Sequence, residues 1–79
     1  MSNVTMNADD FLSEFNKNYD AIYDGLVDYD TVDAAVSFGD EFIKTHKDFV
    51  SEFVKFRGDF LSSDREVAAF ALTIAEHVN

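Results

Sequence analysis

Cysteine and proline are absent from this chain of 79 residues. Without cysteine there are no disulfides, thiolate nucleophiles or cysteine-bound zinc sites, so the core has to hold without a covalent crosslink. Without proline, the strongest breaker of helices is missing. Glycine occurs three times, at the isolated positions Gly25, Gly39 and Gly58, which excludes a glycine-rich phosphate-binding loop.

Long apolar segments are also missing. No run approaches the roughly 20 residues of a transmembrane helix, and the N-terminus has neither the basic region nor the apolar core of a signal peptide. We therefore expect cytoplasmic residence. Hydrophobic residues make up 47% of the chain and charged residues 28%, which is typical of a globular domain. We expect one domain over residues 1–79, with residues 1–7 frayed up to an N-cap at Asn7.

Apolar residues at helical spacing predict that every element is an α-helix. The first helix is expected from about Ala8 to Asp24, closed by Gly25 in the left-handed conformation that glycine adopts without strain. Either Asp30 or Thr31 is expected to cap the following helix. The apolar stripe of the first helix recurs at steps of three and four residues and consists of Phe11, Phe15, Tyr19, Ile22 and Leu26.

The next segment carries a seam of apolar residues that also alternates steps of three and four. Its constant phase favours one long middle helix from about Thr31 to Arg57, continuous or kinked. The alternative is a break, because the segment from Thr45 to Asp48 fits a capping-box pattern. The seam consists of Val32, Ala35, Gly39, Phe42, His46, Phe49, Phe53, Phe56 and Phe60.

Gly58 is expected to close the middle helix, and a capping box at Ser63 starts a last helix from about Asp64 to His77. The expected fold is all-α: a small antiparallel three-helix bundle with the outer helices packed along the middle one, or four short helices if the middle helix breaks near Thr45. Because the outer helices are shorter, part of the Phe-rich seam should be uncovered. Homodimerisation through the middle helix would close it.

Basic residues are scarce, with six Lys and Arg against 16 Asp and Glu, for a net charge of −10. Such a charge repels nucleic acid and anionic membranes, so neither is an expected partner. The imbalance is uneven, because residues 1–41 carry ten acids and one base whereas residues 42–79 carry six acids and five bases. A charge needed only for solubility could be spread evenly.

The stretch from Tyr19 to Asp33 holds all three tyrosines and is densely acidic. On a helix, Asp20, Asp24 and Asp28 would lie about 6 Å apart along one edge, where like charges destabilise the helix. Tyrosine adds rigid contact area and is enriched at binding hot spots. The stretch is therefore predicted to bind a partner; the alternative is a solvated face whose aspartates serve caps and turns. The predicted site is Asp20, Tyr23, Asp24, Asp28, Tyr29, Asp30 and Asp33.

No motif for a metal, a cofactor or catalysis is recognisable. Asp28 and Asp30 match the opening of a calcium loop, but Asp33 stands where that loop needs glycine, and Gly39 where it needs glutamate. His46 has no histidine partner at helical spacing, which disfavours zinc, and it is interpreted as a partly buried core residue or a kink. No nucleophile lies in a recognisable elbow. We expect no metal, no cofactor and no enzymatic activity.

The resulting hypothesis is a non-enzymatic protein whose acidic half blocks a basic, nucleic-acid-binding surface of a partner protein, with carboxylates in place of phosphates. In size, charge and helical content the chain resembles the small inhibitors that phages and mobile elements direct against restriction, CRISPR or host transcription. It would then act in the host cytoplasm. The alternatives are an immunity or antitoxin-like neutraliser of a basic toxin, and a structural or adaptor subunit that pairs through an exposed Phe seam.

Overall fold

The computed structural model describes residues 8–59 and 61–77, and all regular structure in those ranges is α-helical. The all-α class is therefore confirmed, with four helices rather than three. The predicted cap Asn7, the predicted fraying of residues 1–7 and the seam residue Phe60 lie outside the described residues. In chain order the helices are α1 (Ala8–Tyr23), α2 (Tyr29–Thr45), α3 (Lys47–Arg57) and α4 (Asp64–His77).

The favoured continuous middle helix is wrong, and the predicted alternative of a break near Thr45 is confirmed, because α2 ends at Thr45 and α3 begins at Lys47 with His46 between them. The backbone N–H of His46 donates to Phe42 at the end of α2, and its carbonyl accepts from Val50 at the start of α3. The Thr45 hydroxyl donates back to the carbonyl of Glu41 at 3.0 Å, so the predicted capping box at this point does not form. His46 is exposed and its ring stacks on Phe42 at 4.1 Å, so it marks the break and is not a core residue.

The central helix is α4, and both α1 and α2 pack mainly against it. Six consecutive residues from Glu66 to Ala71 are buried, and so are Thr73 and Ile74, which leaves α4 covered on nearly every side. A helix buried in this way is the core element of a fold. The expectation that both outer helices pack along a middle helix is therefore wrong for α1, which packs mainly on α4, whereas α4 does pack on α2, the first half of the predicted middle helix.

An aromatic cluster on one side of α4 joins α1 to α3. The fully buried ring of Phe70 lies 5.2 Å from that of Phe53 and 5.8 Å from that of Phe11. Phe15 packs on Phe53 at 5.4 Å. The break at His46 thus lets α3 turn its phenylalanines toward α1 and α4. Among the described seam phenylalanines, Phe56 stays exposed, at 46%.

On another side of α4, the contact with α2 depends on a glycine. A Cβ atom on Gly39 would lie 2.6 Å from Val67 Cγ1, 2.9 Å from the Val67 carbonyl oxygen and 3.3 Å from Ala71 Cβ. Carbon atoms in packed cores are normally 3.5–4.0 Å apart. The absence of a side chain at Gly39 is therefore what allows α2 and α4 to approach so closely.

Three helix ends form as the local sequence predicts. Gly25 and Gly58 have φ values of 75° and 87°, the left-handed conformation that closes α1 and α3. The predicted capping box of α4 is present, because the Glu66 N–H donates to Ser63 Oγ at 3.2 Å and the Ser63 N–H donates to Glu66 Oε1 at 3.1 Å.

The Glu66 carboxylate also pairs with Arg57 across the α3–α4 connection at 2.5 Å. Burial disfavours the charged form of Glu66, but hydrogen bonds from Arg57, Ser63 and Ser62 outweigh it, and the net effect lowers the pKa of Glu66. The carboxylate therefore holds α3 to α4 in its charged form.

A second buried polar group, Thr73, links α4 to α1. Its hydroxyl donates to the Ala69 carbonyl at 2.8 Å and accepts from the Asn18 side-chain amide at 2.9 Å. Thr73 is fully buried, so both bonds compensate for the loss of water around the hydroxyl.

Candidate interaction surface

The predicted site lies where α1 ends and α2 begins. The N–H of Gly25 donates to Ile22 at 3.1 Å and the N–H of Leu26 donates to Ala21 at 2.9 Å, which is the hydrogen-bond pair of a Schellman motif. This ending stops α1 at Tyr23, one residue before the predicted boundary. The chain then turns through a short connection into α2.

Asp28, in this connection, is the N-cap of α2. Its Oδ1 accepts a hydrogen bond from the Thr31 N–H at 2.7 Å, so α2 begins at Tyr29. Hydrogen bonds from the side chain and backbone of Thr31 lower the pKa of Asp28. The predicted caps Asp30 and Thr31 are therefore wrong, since both lie inside the first turn.

Five aspartates surround this junction, and we call them the acidic corner. All five are exposed, and none forms an ion pair with any residue that the structure describes. The stretch between Lys17 and Lys44 contains no lysine or arginine in sequence. The acidic corner consists of Asp20, Asp24, Asp28, Asp30 and Asp33.

The aspartates of the acidic corner differ in their effect on the stability of the helices that carry them. Asp28 caps α2 and Asp30 lies in its first turn, where the helix dipole stabilises negative charge, whereas Asp33 lies beyond that turn. Asp20 and Asp24 lie at the C-terminal end of α1, where the dipole and their mutual four-residue spacing both disfavour them. Helix formation therefore accounts for Asp28 and Asp30 but gives Asp20 and Asp24 no role in folding.

Three large side chains are exposed among these aspartates. Tyr23 is 66% exposed, Leu26 78% and Tyr29 82%. Leu26 was expected on the apolar stripe of α1, and this is wrong because it follows Gly25 and so lies beyond the helix. The sequence contained the signal, since a residue after a C-terminal glycine no longer shares the face of the helix. Leu26 thus joins the two predicted tyrosines on this surface.

One base, Arg65 of α4, reaches this surface. Its guanidinium lies 4.7 Å from the ring centroid of Tyr23 and 5.9 Å from that of Tyr19. It covers one face of the Tyr23 ring in a cation–π contact. Sequence reasoning missed this residue because Arg65 and Tyr23 are far apart along the chain.

The structure brings only some of the predicted residues into one depression. Tyr29 and Asp33 line a cleft between the ends of three helices, together with Asp64 and Arg65. Asp30 faces the other side of α2, where it lines a separate groove against α4. The acidic corner is therefore spread around the junction of α1 and α2, with Asp33 and Asp30 on opposite sides of α2, and it does not form a single pocket.

The geometry does not form a calcium loop, since Asp28 is a helix cap and Asp30 belongs to a helix. Among residues 8–59 and 61–77 no group of three or more potential ligands is arranged to hold a metal ion. Within the same part of the chain no helix is both long and apolar enough to cross a membrane.

Comparisons of the chain with models of known protein families, with curated proteins and with solved structures found no match.

Proposed function

We propose that the chain is a non-enzymatic inhibitor that docks its acidic corner onto a basic surface of a partner protein and blocks that surface. The observation that carries this proposal is the coincidence of five exposed aspartates without ion pairs and three exposed large side chains at one junction. Exposed charge alone is ordinary in a soluble domain. Its combination with Tyr23, Leu26 and Tyr29 is what an interface needs, because the apolar and aromatic groups supply affinity and the charges supply orientation.

The unfavourable effect of two aspartates on the stability of α1 supports the same proposal. Asp20 and Asp24 oppose the dipole of α1 and repel each other, yet neither caps a helix nor pairs with a described base. Residues that cost stability and have no structural partner are expected where a surface serves another molecule.

The basic surface in this proposal is one that binds nucleic acid. Such surfaces are lined by Lys and Arg that contact phosphates, and a run of carboxylates can occupy the same positions. Asp20 and Asp24 lie one helical turn apart, about 6 Å along the axis, so they can meet separate cationic side chains. Blocking would be competitive, because the inhibitor and the nucleic acid use the same cations. Phage- or mobile-element-encoded inhibitors of restriction, CRISPR or transcription enzymes would fit this mode of action.

The test begins with capture of partners from a host lysate on the immobilised chain, followed by mass spectrometry. The captured protein should bind DNA or RNA, and added nucleic acid should release it. Its association with the chain should also slow steeply as salt rises, because long-range attraction to the acidic corner is screened. A captured partner that binds nucleic acid equally well with and without a saturating amount of the chain would contradict the proposal.

The immunity or antitoxin-like function remains a second prediction, because it would use the same acidic surface against a basic toxin. Competition with nucleic acid separates the two when the toxin does not itself bind nucleic acid. An adaptor that pairs through the Phe seam would rely on Phe56, which is the exposed phenylalanine among the described seam residues. Its association should respond little to salt.

A further inference from the structure

An apolar groove runs between α2 and α4, on the side of α2 that faces away from the cleft of Tyr29 and Asp33. The walls are formed mainly by alanines, with two larger apolar side chains among them. Phe38 is 48% exposed, and its ring leans on Phe42 at 6.1 Å, which holds it in place at the rim. The apolar lining is Ala34, Ala35, Phe38, Ala71, Leu72 and Ala75.

The charge around this groove is acidic. Asp30 lines one end of the groove, and Glu41 lies one turn beyond Phe38 on the same helix. The bases of α2 and α4 are elsewhere: Lys44 is in the last turn of α2, and Arg65 lies over Tyr23. An apolar floor with carboxylates at its margins is complementary to an apolar surface flanked by Lys or Arg.

We infer that this groove binds an amphipathic, basic helix of the partner protein. From Asp30 to Phe38 the groove wall on α2 is about 12 Å long at 1.5 Å per residue, which is just over two helical turns. That length accepts apolar side chains at positions i, i+3 or i+4 and i+7 of a bound helix, in the usual helix-in-groove mode. Lysines or arginines flanking those positions then meet Asp30 and Glu41.

A second copy of this chain is a poor occupant. Two copies facing each other across this groove would oppose the same carboxylates, and each copy carries a net charge of −10. The basic character of the occupant rests on the proposed function, since the same partner has to meet the acidic corner. Asp30 belongs to both surfaces, so one basic helix and the surface around it could contact the groove and the acidic corner together.

The inference is tested by titrating the isotope-labelled full chain with a designed helical peptide of about 14 residues and following backbone amide signals by NMR. The peptide carries leucines at helix-face spacing and lysines elsewhere. A scrambled peptide of the same composition is the matched control. Amide shifts should concentrate on residues 30–41 and 71–75 and be much smaller for the scrambled peptide. Equal binding of the two peptides, or shifts centred outside the groove, would overturn the inference.

Substitutions in the groove give a second readout. Phe38→Ala should weaken binding of the helical peptide by about tenfold, because it removes the largest exposed apolar side chain of the groove. Ala34→Gln places a bulkier neutral side chain in the groove and should weaken binding without removing any core contact. Ser37→Ala, exposed on the same helix, should leave binding unchanged. Wild-type affinity of a folded Ala34→Gln chain would contradict the groove as the binding site.

Two outcomes separate this inference from the proposed function. If the helical peptide binds the groove but the chain does not compete with nucleic acid for its captured partner, the proposed function fails and the groove stands. If competition is observed and Phe38→Ala inhibits as well as wild type, the groove inference fails alone. Concentration-dependent shifts at the groove without any peptide would show that a second copy occupies it, and would also overturn the inference.

Discussion

Replacement of Gly39 by alanine should destabilise the protein, although alanine is the better helix former. In an exposed helix this change stabilises by up to about 1 kcal/mol. Here the new methyl group would lie 2.6 Å from Val67 Cγ1 and 2.9 Å from the Val67 carbonyl oxygen. The valine is buried and stiff at χ1, and the carbonyl belongs to the backbone of α4, so α2 has to move away.

The cost of such overpacking is typically about 1–3 kcal/mol, which exceeds the gain in helix propensity. A net loss of about 1–2 kcal/mol corresponds to a fall in Tm of roughly 5–15 °C for a domain of this size. Thermal and urea unfolding followed by circular dichroism would measure it. Ser37→Ala, exposed on the same helix, is the matched control and should change stability by less than about 0.5 kcal/mol.

The sign of the change in unfolding free energy tests the close contact between α2 and α4. A Gly39→Ala variant that is as stable as wild type or more stable would refute the close α2–α4 contact. A double-mutant cycle with Val67→Ala adds a further check, because removing Val67 Cγ1 should make the alanine at position 39 less costly. The coupling should be favourable by about 0.5–3 kcal/mol, as for residues in direct contact.

Two further predictions concern the buried polar groups. Thr73→Val keeps the shape of the side chain but removes the hydroxyl that accepts from Asn18, so the free energy of unfolding should fall by about 1 kcal/mol. A double-mutant cycle with Asn18→Ala should show that most of this loss is shared between the two residues. An unchanged unfolding midpoint in urea would contradict the role of that bond. Because the pKa of Glu66 is lowered below its ordinary value of 4.5 in the folded protein, its contribution is complete above that value and is lost as the pH falls through the lowered pKa. The stability advantage of wild type over Glu66→Gln should therefore shrink on acidification from about pH 6 to about pH 3, and an advantage that grows on acidification would be incompatible with the pairing to Arg57.

The sequence predicted best those features that depend on near neighbours along the chain. Gly25 and Gly58 end their helices because a left-handed residue is needed there, and Ser63 begins α4 through a local capping box. Exposure of Tyr29 and of the five aspartates in the predicted site also agrees with the structure, since charge and turn chemistry keep this junction in water. Their role in binding stays a prediction.

Features decided by tertiary packing could not be predicted from spacing alone. The apolar seam keeps its phase across His46, so local pattern favours a continuous helix there. The break becomes favourable because α3 then packs Phe53 against Phe11 and Phe70, which belong to distant parts of the chain. The central position of α4 has a visible signal, namely apolar residues on every side from Val67 to Ala71, but helical spacing alone predicts a single buried face.

The groove between α2 and α4 was missed for a related reason. Ala34 and Phe38 belong to α2 and Ala75 to α4, with no motif in common, and the groove depends on the close approach that Gly39 permits. Only the tertiary structure places them together.

The central claim is that the acidic corner is the inhibitory surface, and one measurement tests it most directly. The inhibition constant against nucleic-acid binding by the captured partner should be compared for two variants that each lose four charges. The corner variant replaces Asp20, Asp24, Asp28 and Asp30 with asparagine, which still caps α2 at position 28. The control variant neutralises four exposed acids outside both the acidic corner and the groove, namely Asp9→Asn, Asp40→Asn, Asp48→Asn and Glu52→Gln.

The account predicts that the corner variant inhibits at least about a hundredfold more weakly than wild type, as expected for the loss of several charge contacts at roughly 1 kcal/mol each. The control variant should lose less than about tenfold, through the weaker long-range attraction alone. Equal losses for the two folded variants, or full inhibition by the corner variant, would contradict the claim and leave the acidic corner as a solvated face.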